Sequence, residues 1–464
     1  MKSNVNSAEN PLGTAPVGSL LRKFAIPSII SMVVSALYNI VDQIFIGQGV
    51  GMLGNAATNV AFPMTTVTVA ISLLLGIGGA ANFNLALGRK EPERAKGIAG
   101  TAFGSLIILG FLFCIIIRLF LEPVVLACGA TDQTLSYSLA YVGITSLGFP
   151  FYMLTTGGNH LIRADGKPTY SMIAMLSGAL INTVLDPLFI FVFDWGIQGA
   201  AWATVIGQIF SACMVLFYLP KYMGGTLHPK DFLPKAVYLK AIISLGSAAC
   251  LNQLAITIVQ ILLNNTLRHY GQLSIYGSDI PLAVAGIVMK VNMLFLSVVI
   301  GLSQGAQPII SFNYGAGKFS RVKEAYLKAA GSATVVAILG FICFQVFPRQ
   351  IISLFGNGDE LYYEFAVKFF RIYLFCTFFN GLQPVTSNFF TSIGKATKGI
   401  FLSMTRQIIF LVPLVIIFPI FMGIDGVMYA GPIADAAAGI LAIVLVTKEF
   451  RKMNTDKPRS DLRS

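Results

Sequence analysis

Two stretches of sequence, GRKEPERAK at residues 88–96 and GAGKFSRVK at residues 315–323, indicate that this chain contains two copies of one unit. Each stretch follows a long apolar segment, and both carry Gly, Arg and Lys at the same three places, about 227 positions apart. Further matched pairs recur at nearly the same spacing: Gly129 with Gly356, Asp132 with Asp359, Gly166 with Gly394, Lys167 with Lys395, Gly196 with Gly423 and Gly199 with Gly426. Such a duplication is typical of membrane proteins built from two fused helical bundles.

The composition of this 464-residue chain is that of a polytopic membrane protein. Charged residues make up 11% of it, against about 25% in soluble domains, and hydrophobic residues make up 55%. The mean hydropathy is +0.76. The net charge of +12 does not indicate nucleic-acid binding, because the basic residues are spread between apolar segments and form no basic face. We expect the six scattered cysteines, which form no C-x-x-C pair, to be small buried side chains.

Apolar stretches of about 20 residues or more cross the hydrocarbon core of a bilayer as helices. The sequence contains twelve such stretches: 20–47, 53–87, 97–121, 133–162, 169–193, 197–220, 238–268, 280–312, 323–347, 360–392, 398–421 and 426–448. Lipid offers the backbone no hydrogen-bond partner, so each span must be a helix that satisfies its own polar groups. We therefore predict an all-α fold of twelve transmembrane helices in two parallel, pseudo-symmetric six-helix bundles.

The orientation of the spans follows from Lys and Arg, which are concentrated in the even-numbered connections and the C-terminal segment. The positive-inside rule places the protein in a cell membrane with both termini on the cytoplasmic side. Each copy has an even number of spans, so both copies enter from the same side. The predicted parts are an N-terminal cytoplasmic tail (1–19), an N-lobe (20–220), a cytoplasmic linker (221–237), a C-lobe (238–448) and a C-terminal cytoplasmic tail (449–464).

Two carboxylates lie inside the N-lobe spans, where an ionisable group costs about 2.5–3.5 kcal/mol to insert. Asp42 in the first span and Asp186 in the fifth fall at similar depth. Asn182 lies one turn from Asp186 on the same helix face, and Thr204 in the sixth span reaches the same level. Two neighbouring carboxylates cannot both ionise cheaply, so we predict that these four residues bind a proton or another small cation. The open alternative is local hydrogen bonding that only holds helix ends.

Other positions are candidates for secondary roles. Pro27 interrupts the first span and is predicted to act as a hinge, with a static kink as the alternative. In the C-lobe, Lys290 and Asp435 fall at similar depth and are predicted to pair. No metal site is predicted, because His160 and His269 are isolated. Candidates for lining a cavity, with ordinary packing as the alternative, are Tyr38, Met64, Asn159, Met175 and Met289.

Specific runs of residues resemble a known family. The first span contains Tyr38-Asn39-Ile40-Val41-Asp42-Gln43, and the fifth contains Asn182-x-x-x-Asp186-Pro187. Together with the parallel twelve-span repeat, these runs resemble the multidrug and toxic compound extrusion (MATE) transporters over roughly residues 20–448. The resemblance implies export of cationic, often aromatic drugs, driven by protons or sodium entering the cell.

The resemblance also implies roles for individual residues. In proton-coupled members of this family, positions matching Asp42, Asn182, Asp186 and Thr204 form the N-lobe cation site, and bending at the position of Pro27 accompanies protonation. The sodium-coupled branch has acids in its C-terminal lobe, including one in the seventh span. This chain has no acid between residues 241 and 267, and it has two basic residues in its tenth span, Lys368 and Arg371.

The expected partners are cationic drugs or dyes and the lipid bilayer, with no cofactor besides the coupling ion, and we expect a monomer. Two other functions stay open. A lipid-linked saccharide flippase would have Arg and Lys deep between its lobes to bind pyrophosphate. A membrane-embedded transferase would have clustered catalytic groups, and the sequence contains neither H-E-x-x-H nor an aspartate-rich metal motif.

Overall fold

The structure, a computed structural model, describes residues 10–277, 279–355 and 359–455, apart from the side chains at positions 52 and 455. Every regular element in these ranges is a helix. The repeated glycine Gly356 and the predicted tail segments 1–9 and 456–464 lie outside the described residues.

Six spans form the N-terminal half. Their bounds are α1 (Val17–Gly49), α2 (Met52–Gly88), α3 (Pro92–Leu119), α4 (Leu135–Thr145 and Phe149–Ala164, joined by the 3-10 turn Ser146–Gly148), α5 (Pro168–Pro187, continued by the π-helix Leu188–Val192) and α6 (Gly196–Tyr218). A short helix, Leu121–Ala127, precedes α4. The break in α4 has a local cause, because Pro150 in the first turn of the second piece has no N–H to continue the hydrogen-bond ladder.

Six spans form the C-terminal half. Their bounds are α7 (Ala236–Gln272), α8 (Asp279–Gly315), α9 (Phe319–Val346), α10 (Glu360–Tyr373, Thr377–Asn380 and Leu382–Ser392), α11 (Ala396–Met404, the π-helix Thr405–Leu411 and Val412–Met422) and α12 (Ile424–Thr455). The π-helices of α5 and α11 adjoin Pro187 and Pro413, whose missing N–H groups disturb regular α-helical bonding.

The twelve-helix prediction is confirmed, with two spans broken that were predicted to be continuous. Ten of the described helices are long and apolar enough to cross a membrane on their own. The tenth span is a helix pair bent by 49°, and the fourth is the interrupted helix α4. These two spans were predicted from hydropathy, which registers apolar length but not a break in the backbone.

The ends of the helical core differ from the predicted tails. Residues 11–15 dock on the C-terminal half: Asn313 Nδ2 donates to the Leu12 carbonyl over 2.8 Å, and Lys318 Nζ donates to the Gly13 carbonyl over 2.9 Å. At the other end, α12 continues past the predicted limit at residue 448. The predicted linker 221–237 begins within the 3-10 turn Leu219–Gly224 and contains the 3-10 turn Pro229–Phe232. The division into lobes stays a prediction.

Close packing joins the two halves along α1 with α8 and along α2 with α7. A Cβ on Gly246 of α7 would lie 1.8 Å from the carbonyl oxygen of Leu74 in α2, so only glycine fits there. Asn82 Nδ2 donates to the Ala241 carbonyl over 2.9 Å, also from α2 to α7. The contacts lie in the halves of α2 and α7 that are predicted to be cytoplasmic.

A buried arginine adds a further contact between the two halves. Arg163 at the end of α4 is only 2% exposed, and its Nη2 donates to Gln304 Oε1 of α8 over 2.9 Å. Its guanidinium also contacts His160 Nδ1 over 2.9 Å and donates to Ser171 Oγ over 3.3 Å. The buried His160 side chain therefore has a structural role as a partner of Arg163.

Candidate functional site

The structure brings the four polar N-lobe residues together between α1, α5 and α6. The carboxyl groups of Asp42 and Asp186 lie close enough together to interact directly. Asn182 Nδ2 donates to Asp186 Oδ1 over 3.3 Å and lies 3.4 Å from Thr204 Oγ1. Asp186 is fully buried and Asn182 is 2% exposed. Three helices thus supply one compact polar cluster in an otherwise apolar bundle.

The local sequence of α5 explains why two of these side chains point the same way. Asn182 and Asp186 are four residues apart, which places them on one helix face. Pro187 then ends the regular α-helix, and the π-helix Leu188–Val192 follows directly. Such single-turn π segments frequently mark functional sites in helices.

The cluster has an excess of hydrogen-bond acceptors. Within the described part of the chain, Asp42 Oδ1, Asp186 Oδ2 and Asn182 Oδ1 are buried without a hydrogen-bond partner. Two carboxylates in contact have no donor between them, so one proton is needed to form the hydrogen bond. A set of unpartnered oxygens from three side chains is also a suitable environment for a small hard cation. The cluster can therefore hold a proton or a cation.

Tyr141 of α4 extends the cluster and was missed from the sequence. Its hydroxyl lies close enough to Thr204 to interact with it, and the side chain is 9% exposed. No sequence signal distinguishes this tyrosine, because its role depends on how α4 packs against α6. Tyr141 thus adds α4 to the three helices that contribute to the polar cluster.

An apolar cavity of about 540 Å³ lies between α1 and α5, next to the carboxyl cluster. Tyr38 lines it, one helical turn before Asp42. Val41 and Thr183 also line it, and they adjoin Asp42 and Asn182 in sequence. A titratable pair therefore stands beside a cavity of the size and polarity that suit a small apolar or amphipathic molecule.

None of the other four predicted cavity residues lines this cavity. Met64 is 4% exposed and packs in an N-lobe core cluster with Tyr141. Asn159 is 1% exposed, Met289 packs against the C-lobe core, and Met175 is half-buried on α5. Flexible methionine side chains commonly fill gaps in helical cores, which is the role that Met64 and Met289 have here.

The predicted pairing of Lys290 with Asp435 is wrong. Asp435 Oδ1 of α12 instead accepts from Arg406 Nε of α11 over 2.5 Å, and both side chains are buried. Lys290 is exposed on α8. Arg406 lies in the π-helix Thr405–Leu411, and its guanidinium reaches α12 because the two helices pack directly.

The fold and this site define a multi-pass membrane protein with a buried ionisable cluster beside a cavity in one half. The MatE family model matches residues 27–188 and 248–417, once in each half, and the chain belongs to this family. The family predicted from the motifs in α1 and α5 is thereby confirmed.

Individual relatives cover nearly the whole chain. The multidrug export protein MepA of Staphylococcus aureus (strain N315) is 25% identical over 433 residues, which are 93% of this chain and 94% of that protein. MepA of Staphylococcus haemolyticus (strain JCSC1435) is 25% identical over 435 residues, 94% of each chain. A solved structure described as the outward-facing conformation of a multidrug resistance MATE family transporter superposes with a TM-score of 0.88. It is 23% identical and covers 96% of this chain and 98% of its own.

Proposed function

We propose that this protein exports cationic amphipathic or aromatic drugs from the cell by exchanging them for protons. One observation carries the proposal: the Asp42–Asp186 pair lies next to the apolar cavity between α1 and α5. The relatives named multidrug export proteins support the same substrate class.

Competition for the carboxyl cluster provides the exchange. When the pair carries more negative charge, it attracts a cationic molecule in the neighbouring cavity. Uptake of a proton removes that charge, so drug and proton weaken each other's binding, and this coupling is reciprocal. Transport by alternating access then requires that the two loaded states favour different arrangements of the lobes.

Helix α1 is the proposed moving part. Its cytoplasmic half packs on α8, where a Cβ on Gly305 would lie 2.5 Å from Cα of Ala25. Its outer half carries Tyr38 and Asp42. Pro27 lies between the two, at a point where the helix lacks one backbone hydrogen bond. A change of charge at Asp42 therefore bends the outer part of α1 about Pro27.

A proton is the proposed coupling ion. The contact between the two carboxyl groups needs a hydrogen between them, which a proton supplies directly. A membrane potential of 100 mV supplies about 2.3 kcal/mol of free energy for each proton that enters the cell. One or two protons per cycle are then enough to concentrate a drug outside the cell.

The two alternatives find less support in the C-terminal half. Among its basic groups that could serve a flippase for pyrophosphate lipids, Lys368 Nζ lies 2.7 Å from Asp425 Oδ1 and Arg406 is paired with Asp435. For a metal-dependent transferase, the described ranges contain no cluster of three His, Cys, Asp or Glu residues suited to a metal ion.

The test uses purified protein in proteoliposomes loaded with a fluorescent dye such as ethidium. Asp42→Asn and Asp186→Asn should each abolish dye transport driven by a pH gradient, because the amide cannot exchange a proton. Asp194→Asn is the matched control: Asp194 is exposed, and its φ of 55° is one that asparagine readily adopts. Wild-type rates in both cluster variants would contradict the proposal.

A further inference from the structure

We propose that the seam between α2 and α7 contains a binding site for a phosphate group, provided by an anionic lipid or by a free phosphate compound. A cavity of about 200 Å³ lies at the predicted cytoplasmic end of this seam. Its polar lining includes Asn82, Arg89 and Arg94 from the N-terminal half and Ser244 from α7. At about 30 Å³ for one liquid water, the cavity has room for one phosphate group.

The charges around the cavity favour an anion. Arg94 Nη1 lies 3.3 Å from Glu91 Oε2, so part of its charge is compensated. Arg89 has neither an ion pair nor a side-chain hydrogen bond with any described residue. The guanidinium group offers a planar fork of donors that matches phosphate oxygens. The site therefore presents one uncompensated arginine and one partly compensated arginine to the same small space.

Neighbouring carboxylates do not neutralise this site. Glu449 of α12 is bonded by both Lys395 and Lys398, which follow Gly394, a residue that lines the cavity. The side chain of Asn82 is fixed by its hydrogen bonds to the carbonyls of Gly78 and Ala241. The cavity is thus lined by one fixed amide, that of Asn82, and by two arginines whose charge is only partly compensated.

Both halves of the protein build the site, and this gives binding a structural consequence. Asn82, Arg89 and Arg94 belong to the N-terminal half, whereas Ser244 and Gly394 belong to the C-terminal half. A phosphate bound there contacts both halves only while their cytoplasmic ends stay together. Binding therefore favours the arrangement that is closed on the cytoplasmic side. This inference is independent of the drug and of the coupling ion.

The location suggests the lipid source to be tested first. Basic pockets between transmembrane helices on the cytoplasmic side bind anionic head groups. The full-length protein is placed in nanodiscs of phosphatidylcholine with phosphatidylglycerol, and the phosphatidylglycerol that stays bound is measured by native mass spectrometry. Arg89→Gln should lower this retention about fivefold, the effect of one basic group near an anionic lipid. Lys90→Gln, the same charge change at an exposed neighbour outside the cavity lining, should not lower it.

Two further arms identify the source and the bridging. In nanodiscs of phosphatidylcholine alone, inorganic phosphate is titrated and thermal unfolding is followed; a rise in melting temperature that Arg89→Gln removes would assign the site to free phosphate.

Ser244→Leu fills the cavity from the other half and should reduce binding like Arg89→Gln. Bound phosphate should slow hydrogen exchange in residues 82–94 and 236–245 together. Equal retention and equal melting shifts in wild type, Arg89→Gln and Lys90→Gln would overturn the proposal.

Discussion

At the scale of single residues, the buried charges of this protein depend on one or two neighbouring side chains. Arg406 and Asp435 are both buried, and each has the other as its ionic partner. A buried ion pair adds little net stability, because desolvation offsets attraction, but either charge alone inside the bundle is strongly unfavourable. Removing either charge of this pair alone should therefore destabilise the protein more than removing both.

Removing one charge of this pair should destabilise the C-terminal half. Asp435→Asn leaves the Arg406 guanidinium buried without its counter-charge, which costs about 3–5 kcal/mol. The double variant Arg406→Leu with Asp435→Leu should recover most of that loss. Denaturant unfolding in detergent measures both, and a single variant as stable as the double variant would contradict the assignment.

Asp165, in the turn between α4 and α5, gives a prediction for pH. Burial raises the pKa of Asp165 to about 6, although the Tyr218 hydroxyl, 2.7 Å from Oδ2, and the Met223 N–H stabilise its charged form. The unfolded chain has a pKa of about 3.9, so the folded protein binds this proton more tightly. The resulting stabilisation is complete below about pH 4 and is lost as the pH rises through about 6.

The measurement is thermal unfolding of wild type and Asp165→Asn between pH 4 and pH 8. The wild type should lose stability relative to Asp165→Asn across pH 4 to 6. Tyr218→Phe removes a donor to the carboxylate and should move this loss to higher pH. A difference between wild type and Asp165→Asn that does not vary with pH would rule out the linkage.

At the scale of helices, close backbone contact holds the two halves together along α2 and α7. Gly246 allows this contact because a Cβ there would meet the Leu74 carbonyl oxygen, an atom that no rotamer change can move. The nearby hydrogen bond from Asn82 to Ala241 depends on the same separation of the helices. Direct backbone contact thus sets the spacing of α2 and α7 at this end.

Gly246→Ala should therefore push α7 away from α2. Overpacking of this kind costs about 1–3 kcal/mol, and hydrogen exchange should increase at the predicted cytoplasmic ends of both helices. Gly286→Ala is the matched control, since a Cβ on Gly286 of α8 would have no atom within 4 Å. Equal stability and equal exchange in the two variants would show that the contact is less close than described.

At the scale of the whole molecule, the two copies share a scaffold but not a chemistry. The N-terminal half holds the contacting carboxyl pair, whereas the C-terminal half holds the Arg406–Asp435 ion pair and has no acid along α7. A neutral ion pair has no free site for a coupling ion. We therefore propose that ion coupling takes place in the N-terminal half.

This asymmetry predicts which gradient drives transport. In proteoliposomes, a pH gradient alone should drive dye transport, and a sodium gradient alone at constant pH should not. The acceptor oxygens of the carboxyl pair would serve either ion, but the C-terminal half offers no second acidic site along α7. Transport driven by sodium alone would reassign the coupling ion while leaving the site itself in place.

The sequence predicted the architecture well because the bilayer restricts it strongly. Hydrocarbon requires apolar helices of about 20 residues or more, so hydropathy alone located all twelve spans. Breaks such as those in α4 and α10 escaped prediction, because Pro150 and the bend after Tyr373 do not change the apolar length. The sequence repeat predicted two copies of one bundle, and the basic connections predicted that both copies have the same orientation in the membrane.

Depth along a helix follows from the sequence, but the direction in which a side chain points across the bundle does not. Depth was enough to group Asp42 with Asn182, Asp186 and Thr204. It failed for Asp435, where Lys290 lies at similar depth but Arg406 lies on the facing helix. The spans and the cluster of polar residues were thus determined by sequence. The partners of each charge were decided only by tertiary packing, because each residue turns the helix by about 100° and the contact depends on how two helices are rotated toward each other.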